Sequence, residues 1–280
     1  MGRILTAAEL PLVFAAVNDR ISDYAIGFVK ILPTAQPEDA TVAGSGTLVT
    51  AGGRHTILTA AHVLDALPSN GEIGLILPTR FGPQVHRATL EMNVGRKVTL
   101  GPASYDRNGP DLGLILLAQS DISKLPSSKT FYNLDKRREQ MLSAPRAIDM
   151  GGWFLCGMVG EWTSDLSPEC GFARVKAFRG VTGAGVVVAE RQCAEFDYLE
   201  FEAKYNAAYE GPDSFGGVSG GGLWQVVFEE RDGAVNMVDA LLSGVVFFQS
   251  EIVGDTRTIF CHGRRSIYER VADSLRSAAS

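Results

Sequence analysis

Residues 215–230 read FGGVSGGGLWQVVFEE. Ser219 stands alone among Gly216, Gly217, Gly220, Gly221 and Gly222. A chain gives up side chains on that scale where its backbone bends sharply or approaches something closely. The residues just after the glycines matter as much. GLWQVVFEE is bulky and β-branched over the length of one strand, so the loop is expected to feed a strand, not a helix. Ser219 itself reads either as a turn residue or as a nucleophile held on a tight loop.

To either side of this loop, the texture between Asp23 and His262 is one of short apolar runs broken by glycine, proline and polar turns. Strands are predicted at 25–32, 45–51, 55–61, 73–78, 112–117, 152–159, 174–181, 183–190, 195–203, 222–230, 236–249 and 257–262. Gly52-Gly53 and Asp232-Gly233 sit where hairpins turn. Many short strands at this spacing predict a mostly β chain of sandwich or barrel type, not βαβ units. Residues 6–18 read as a helix, with Thr6 and Glu9 at capping-box spacing and Leu10, Val13, Phe14 and Val17 on one face. Residues 264–278 read as another, with Ile267, Val271 and Leu275 at four-residue steps. The division expected is an N-terminal helical extension (1–24), a first β unit (25–120), a connector (121–145), a second β unit (146–262) and a C-terminal helix (263–280).

Composition narrows the classes. The chain has 280 residues, 45% of them hydrophobic, enough for one large domain or two small ones. A net charge of −6 argues against a nucleic-acid partner, which calls for a basic excess. Cys156, Cys170, Cys193 and Cys261 form no CxxC pair that would suggest zinc or redox chemistry, and the triad chemistry set out below needs no metal or organic cofactor. Glu9 and Pro11 interrupt any secretory h-region, and no apolar run is long enough for a membrane span. A match to an acylation pattern at Gly2 is too short to weigh. The expected compartment is a reducing cytoplasm with free thiols, a Cys156–Cys170 disulfide being the alternative.

Three motifs hold the residues of a nucleophilic site: LTAAHVL with His62, GPDLGLILL with Asp111, and GGVSGGGL with Ser219. A serine hydroxyl attacks only if a base takes its proton, and histidine titrates in the right range. The imidazole then needs a carboxylate on its far nitrogen, which a residue at the mouth of an apolar strand can supply. The oxyanion formed needs backbone donors aimed at one point, and the N–H groups of Gly217 and Ser219 are assigned that role. His55, His86 and His262 read as structural or surface residues.

Together, TAAH, DLGLILL and GVSGGGL resemble the histidine, aspartate and serine motifs of the trypsin-like (chymotrypsin-fold) serine peptidases, in that family's order. The resemblance implies two packed antiparallel β-barrels of the six-stranded type, the first carrying His62 and Asp111 and the second Ser219. It implies an endopeptidase acting on a protein or peptide, of a disulfide-poor, bacterial intracellular kind. It further implies Asp213 and Ser214 at the base of the specificity pocket, hence cleavage after Arg or Lys. LLSGVVFFQ resembles the strand that pairs with substrate, setting Phe247, Phe248 and Gln249 along the cleft, with one ring turned to the core and one to the cleft. Val63 replaces the cysteine of secreted members, and Val218 the aspartate that pairs with a newly cut N-terminus. Gln249 replaces a glycine that keeps the trypsin pocket open.

Two rivals use the same residues. GVSGG satisfies the GxSxG elbow of α/β-hydrolases, but that fold needs a helix after the serine and its acid and histidine downstream. The other is a catalytically silent or partner-activated binding module. The acidic segment from Glu200 to Asp213 would then be a regulatory loop for an activating protein.

Overall fold

The computed structural model describes residues 9–32, 39–78, 86–166, 175–177, 180–205, 211–231 and 233–277. The chain opens with helix α1 (Glu9–Ile21), whose Val13, Val17 and Ile21 recur every four residues and are buried. Pro11 falls in its first turn, where the missing N–H costs nothing. Strands β1 (Ala25–Leu32), β2 (Asp39–Ala51) and β3 (Arg54–Thr59) come next, then a short helix α2 (Ala61–Ala66). β4 (Gly71–Leu77), β5 (His86–Met92), β6 (Lys97–Gly101) and β7 (Leu112–Leu116) complete the first half. A sheet runs in the order β5-β4-β1-β2-β3-β7-β6. The β2–β3 hairpin turns on Gly52 and Gly53 at φ +56° and +74°, the left-handed pair that a two-residue turn between twisted strands requires.

Helix α3 (Gln119–Ile122), strand β8 (Tyr132–Asn133) and helix α4 (Leu134–Leu142) lead to the second half. There β9 (Gly152–Met158), β12 (Gly180–Cys193), β13 (Phe196–Lys204), β14 (Gly222–Arg231), β15 (Ala234–Val253) and β16 (Thr256–His262) close a hydrogen-bonded circuit in the order β12-β13-β16-β15-β14-β9. Among the described residues β10 (Ser164–Leu166) and β11 (Val175–Ala177) pair only with each other. The chain then turns helical through a π-helical stretch, Ser266–Val271, into α5 (Ala272–Ser277), burying Ile267, Val271 and Leu275 as their spacing predicts. No described helix is long and apolar enough to cross a membrane.

The mostly β architecture and the bracketing helices match the sequence reading. It differs in three places. β5 and β6 were not predicted because they lie at the sheet's two ends and bury little: Leu90 and Met92 in one, Gly101 in the other. Among the described residues the first sheet is an open path, whereas a closed barrel was expected. The 121–145 segment is more than a connector, since β8 adds to β2 in parallel. Thr6 of the expected capping box lies outside the described residues, which start at Glu9.

The two halves share one aromatic seam. The Trp224 indole of β14 stacks on Tyr24, just before β1 (ring centroids 5.3 Å, interplanar 27°), and meets Tyr132 of β8 edge-on (5.3 Å, 82°). The Tyr268 hydroxyl, from the C-terminal helix, donates to the Leu242 carbonyl at 2.9 Å. Lys129 donates from Nζ to the carbonyls of Ser22 and Ala25, both at 2.7 Å, and its burial lowers its pKa to about 7. Trp224 is 1% exposed, so Trp224→Ala should cost about 3–5 kcal/mol. Urea unfolding followed by far-UV circular dichroism will measure that loss, expected as one transition at a lower midpoint.

Candidate active site

β3 and β7 pair antiparallel, with Thr59 opposite Gly113. That register brings the residue just past the end of one strand to the residue just before the start of the other. His62, in the first turn of α2, thereby meets Asp111. His62 Nδ1 lies 2.6 Å from Asp111 Oδ2, and the His62 backbone N–H donates to Oδ1 at 2.9 Å. The Asp111 side chain is fully buried, and a buried carboxylate is tolerated only when its oxygens are satisfied. Since an ionised carboxylate only accepts, the imidazole carries its proton on Nδ1, leaving a lone pair on Nε2.

A second histidine completes the aspartate's surroundings. The Asp111 N–H donates to His262 Nε2 at 3.0 Å. His262 ends β16, is fully buried, and packs among Phe196, Tyr198 and Phe247 at ring-centroid distances of 5.4, 5.2 and 4.9 Å. Accepting on Nε2 places its proton on Nδ1, which has no partner among the described residues. Burial drives its pKa from 6.5 to about 3, and the nearby Arg191 charge adds to the fall. His262 is therefore neutral near pH 7.

The Ser219 loop is held from both halves. Val218 donates to the Phe215 carbonyl at 3.0 Å and Gly221 to that of Val218 at 2.7 Å, folding the loop on itself. The Ser45 N–H, from β2, donates to the Ser219 carbonyl at 2.7 Å. The Ser45 hydroxyl donates to the Gly217 carbonyl and accepts from the Met158 N–H, both at 2.8 Å. Gly217 and Gly220 have φ of +90° and +87°. A Cβ on Gly220 would stand 2.1 Å from both the Ser45 carbonyl oxygen and Thr59 Oγ1, so the glycine is obligatory there. Among the described residues the N–H groups of Gly217 and Ser219 donate to no protein acceptor.

His62 and Ser219 line one cleft of about 300 Å³, walled by Ser104, Tyr105, Phe215, Gly216, Val246, Phe247, Phe248 and Gln249. Phe247 is buried against His262 and Phe248 is half-buried against Phe260, so one ring belongs to the core as alternation predicts. Asp213 and Ser214 do not line this cleft. Asp213 is exposed, where a buried pocket carboxylate was expected. The Glu161 carboxylate explains the change: it takes the N–H groups of Asp213 and Ser214 at 2.7 and 3.0 Å and holds their backbone outside. Ser214 Oγ instead accepts from Gln249 Nε2 at 3.0 Å.

Of the segment expected to regulate the site, residues 206–210 lie outside the described residues, as does Cys170 and with it the alternative disulfide. The Tyr205 hydroxyl donates to the Pro212 and Asp213 carbonyls at 3.1 and 3.2 Å. Cys156 and Cys261 are buried thiols, the former raised by burial to about 11. Among the described residues no three His, Cys, Asp or Glu side chains gather as a metal site. No protein-family model matches the chain, and no curated protein matches its sequence.

Sequence reasoning missed Ser45, His262 and Glu161. Ser45 had a usable signal, the glycine on each side in AGSGT. His262 had none, because its partner is a backbone N–H that only the folded chain brings near.

These contacts set two expected outcomes. Ser45→Ala would strand the Met158 N–H and the Gly217 carbonyl, at about 1–3 kcal/mol for each buried group, measurable by urea unfolding. His262 gives a pH effect of defined sign. The unfolded chain binds its proton at the ordinary histidine pKa, whereas the folded chain takes it only near pH 3. The unfolded state therefore holds more protons between these values, and stability is lost as pH falls through that window. His262→Gln, which keeps an acceptor for Asp111 but does not titrate, should flatten the urea midpoint against pH between about 6.5 and 3.

Proposed function

We propose that the chain is a serine endopeptidase of the trypsin-like kind, its sheet and its closed six-strand circuit standing as the two barrel units of that fold. The observation that carries this reading is the hydrogen-bonded His62–Asp111 pair. It opens on the same cleft as Ser219, beside two unclaimed backbone donors.

In this reading Ser219 Oγ attacks the scissile carbonyl, forming a C–O bond while His62 Nε2 takes its proton. Asp111 keeps the imidazole in the Nδ1–H tautomer and stabilises the imidazolium. The Gly217 and Ser219 N–H groups take the oxyanion, and as backbone donors on a clamped loop they need little reorganisation as charge develops. Collapse breaks the C–N bond, and His62 hands its proton to the leaving amine. Water, deprotonated by the same nitrogen, then releases the acyl group.

One observation favours the second reading, a silent or partner-activated module. The Ser219 hydroxyl makes no hydrogen bond to His62 among the described residues. Hydrogen bonds of this type are often loose before substrate binds, so the two readings differ in what a chemical probe finds.

A fluorophosphonate should add once to the wild-type protein, by intact mass, and not at all to Ser219→Ala or His62→Ala. Asp111→Asn should slow labelling by about 10⁴-fold, because the imidazole would then be held in the wrong tautomer. A wild-type protein that takes up no probe, alone or with a partner, would leave the binding module as the reading.

A further inference from the structure

We propose that Arg257 anchors an acidic side chain, so that the site cleaves after Glu or Asp; this rests on the peptidase reading and gives it a substrate class. Arg257 lies at the start of β16, on the same alternation as Ile259 and Cys261, which face the barrel core. It is 8% exposed. Among the described residues its guanidinium forms no salt bridge; it donates to Gln249 Oε1 at 2.7 Å and lies 5.9 Å from the Tyr205 ring centroid. Its Nε has no hydrogen-bond partner there. A cation that deep is normally paired, because taking it from water costs several kcal/mol.

An anion has a definite place beside it. Gln249 lines the cleft beside Ser219, and its Oε1 accepts from the Phe215 N–H at 2.8 Å as well as from Arg257. Ser214 Oγ binds the other end of the same amide. One oxygen thus receives a charged donor and a backbone donor at the wall of the cleft. A carboxylate there would accept both as charge-assisted bonds, and Gln249, whose other tether is one hydroxyl, can swing aside. An arginine or lysine side chain entering instead would meet a buried like charge, and the carboxylate expected to receive it, Asp213, is exposed.

The test uses the whole chain and acylated tetrapeptide coumarin amides differing only in the residue before the scissile bond: Glu, Asp, Gln, Leu or Arg. Wild type should cleave the Glu or Asp substrate at least about 30-fold faster in kcat/KM than the Gln isostere, the scale of losing one partner of a buried charge pair. Arg257→Gln should bring that ratio near one while fluorophosphonate labelling of Ser219 persists. Gln249→Gly, which removes the plug and leaves the cation, should raise the Glu rate and guards against a misfolded Arg257 variant. A labelled enzyme preferring Arg or Leu would overturn the inference and leave the peptidase reading standing. If no substrate is cut and no label enters, Ser219→Ala protein is titrated calorimetrically with tetrapeptides ending in Glu or in Gln amide. Tighter binding of the Glu peptide, lost in Ser219→Ala/Arg257→Gln, would uphold the anion site without the chemistry; equal binding would overturn it.

Discussion

One buried hydroxyl, that of Ser45, ties the two halves of this molecule together at the place where they must agree. It belongs to the first sheet, yet its bonds go to Gly217 and Met158 of the second half, while its backbone holds Ser219. A loop containing five glycines within eight residues has a high conformational entropy to lose, and neighbouring strands must hold it. Ser45, itself fixed by the Thr59 hydroxyl, supplies that hold from the outside, and the turn of Val218 back onto Phe215 supplies it from within. The unclaimed N–H pair is a consequence: the neighbouring donors of Val218, Gly220 and Gly221 already have their acceptors.

Asp111 meets a different constraint. Its carboxylate is fully buried, so its charge must be matched by donors that the fold can deliver. His62 delivers two, ring and backbone, through the β3–β7 register. His262 then removes the remaining freedom by accepting the aspartate's own N–H. The aromatic cage around His262 serves the same end, because an imidazole that cannot charge near pH 7 remains an acceptor.

Most of this was legible in the chain for one reason. Local pattern and local chemistry coincide: runs such as HTILT become strands, glycine pairs become turns, and the residues at strand mouths become the site. Strand edges at 25–32 and 222–230 fell within a residue of their positions because turns or glycines bound them. β5 and β6 were not legible, because β5 buries only Leu90 and Met92 and β6 only Gly101, too little to set a pattern. The three residues of the proposed triad could be named from their motifs. The pocket could not, since the place of Asp213 is set by Glu161, distant in the chain, and Arg257 matters only because Gln249 lies beside it. Contacts of that kind are pairings between separate segments, and a single sequence carries no record of them.

The chain order of these pairings has a consequence for biosynthesis. Asp111 and Ser45 emerge from the ribosome early, on a sheet whose strands are contiguous in sequence. Their partners, Ser219 and above all His262, emerge much later, and β16 also closes the circuit of the second half. The early sheet can form while synthesis continues, since domains tend to fold as they appear. The constellation around His62 nevertheless stays incomplete until residue 262 is free to pack. Under the peptidase reading, a nascent chain would carry no finished nucleophile until β16 has emerged and packed.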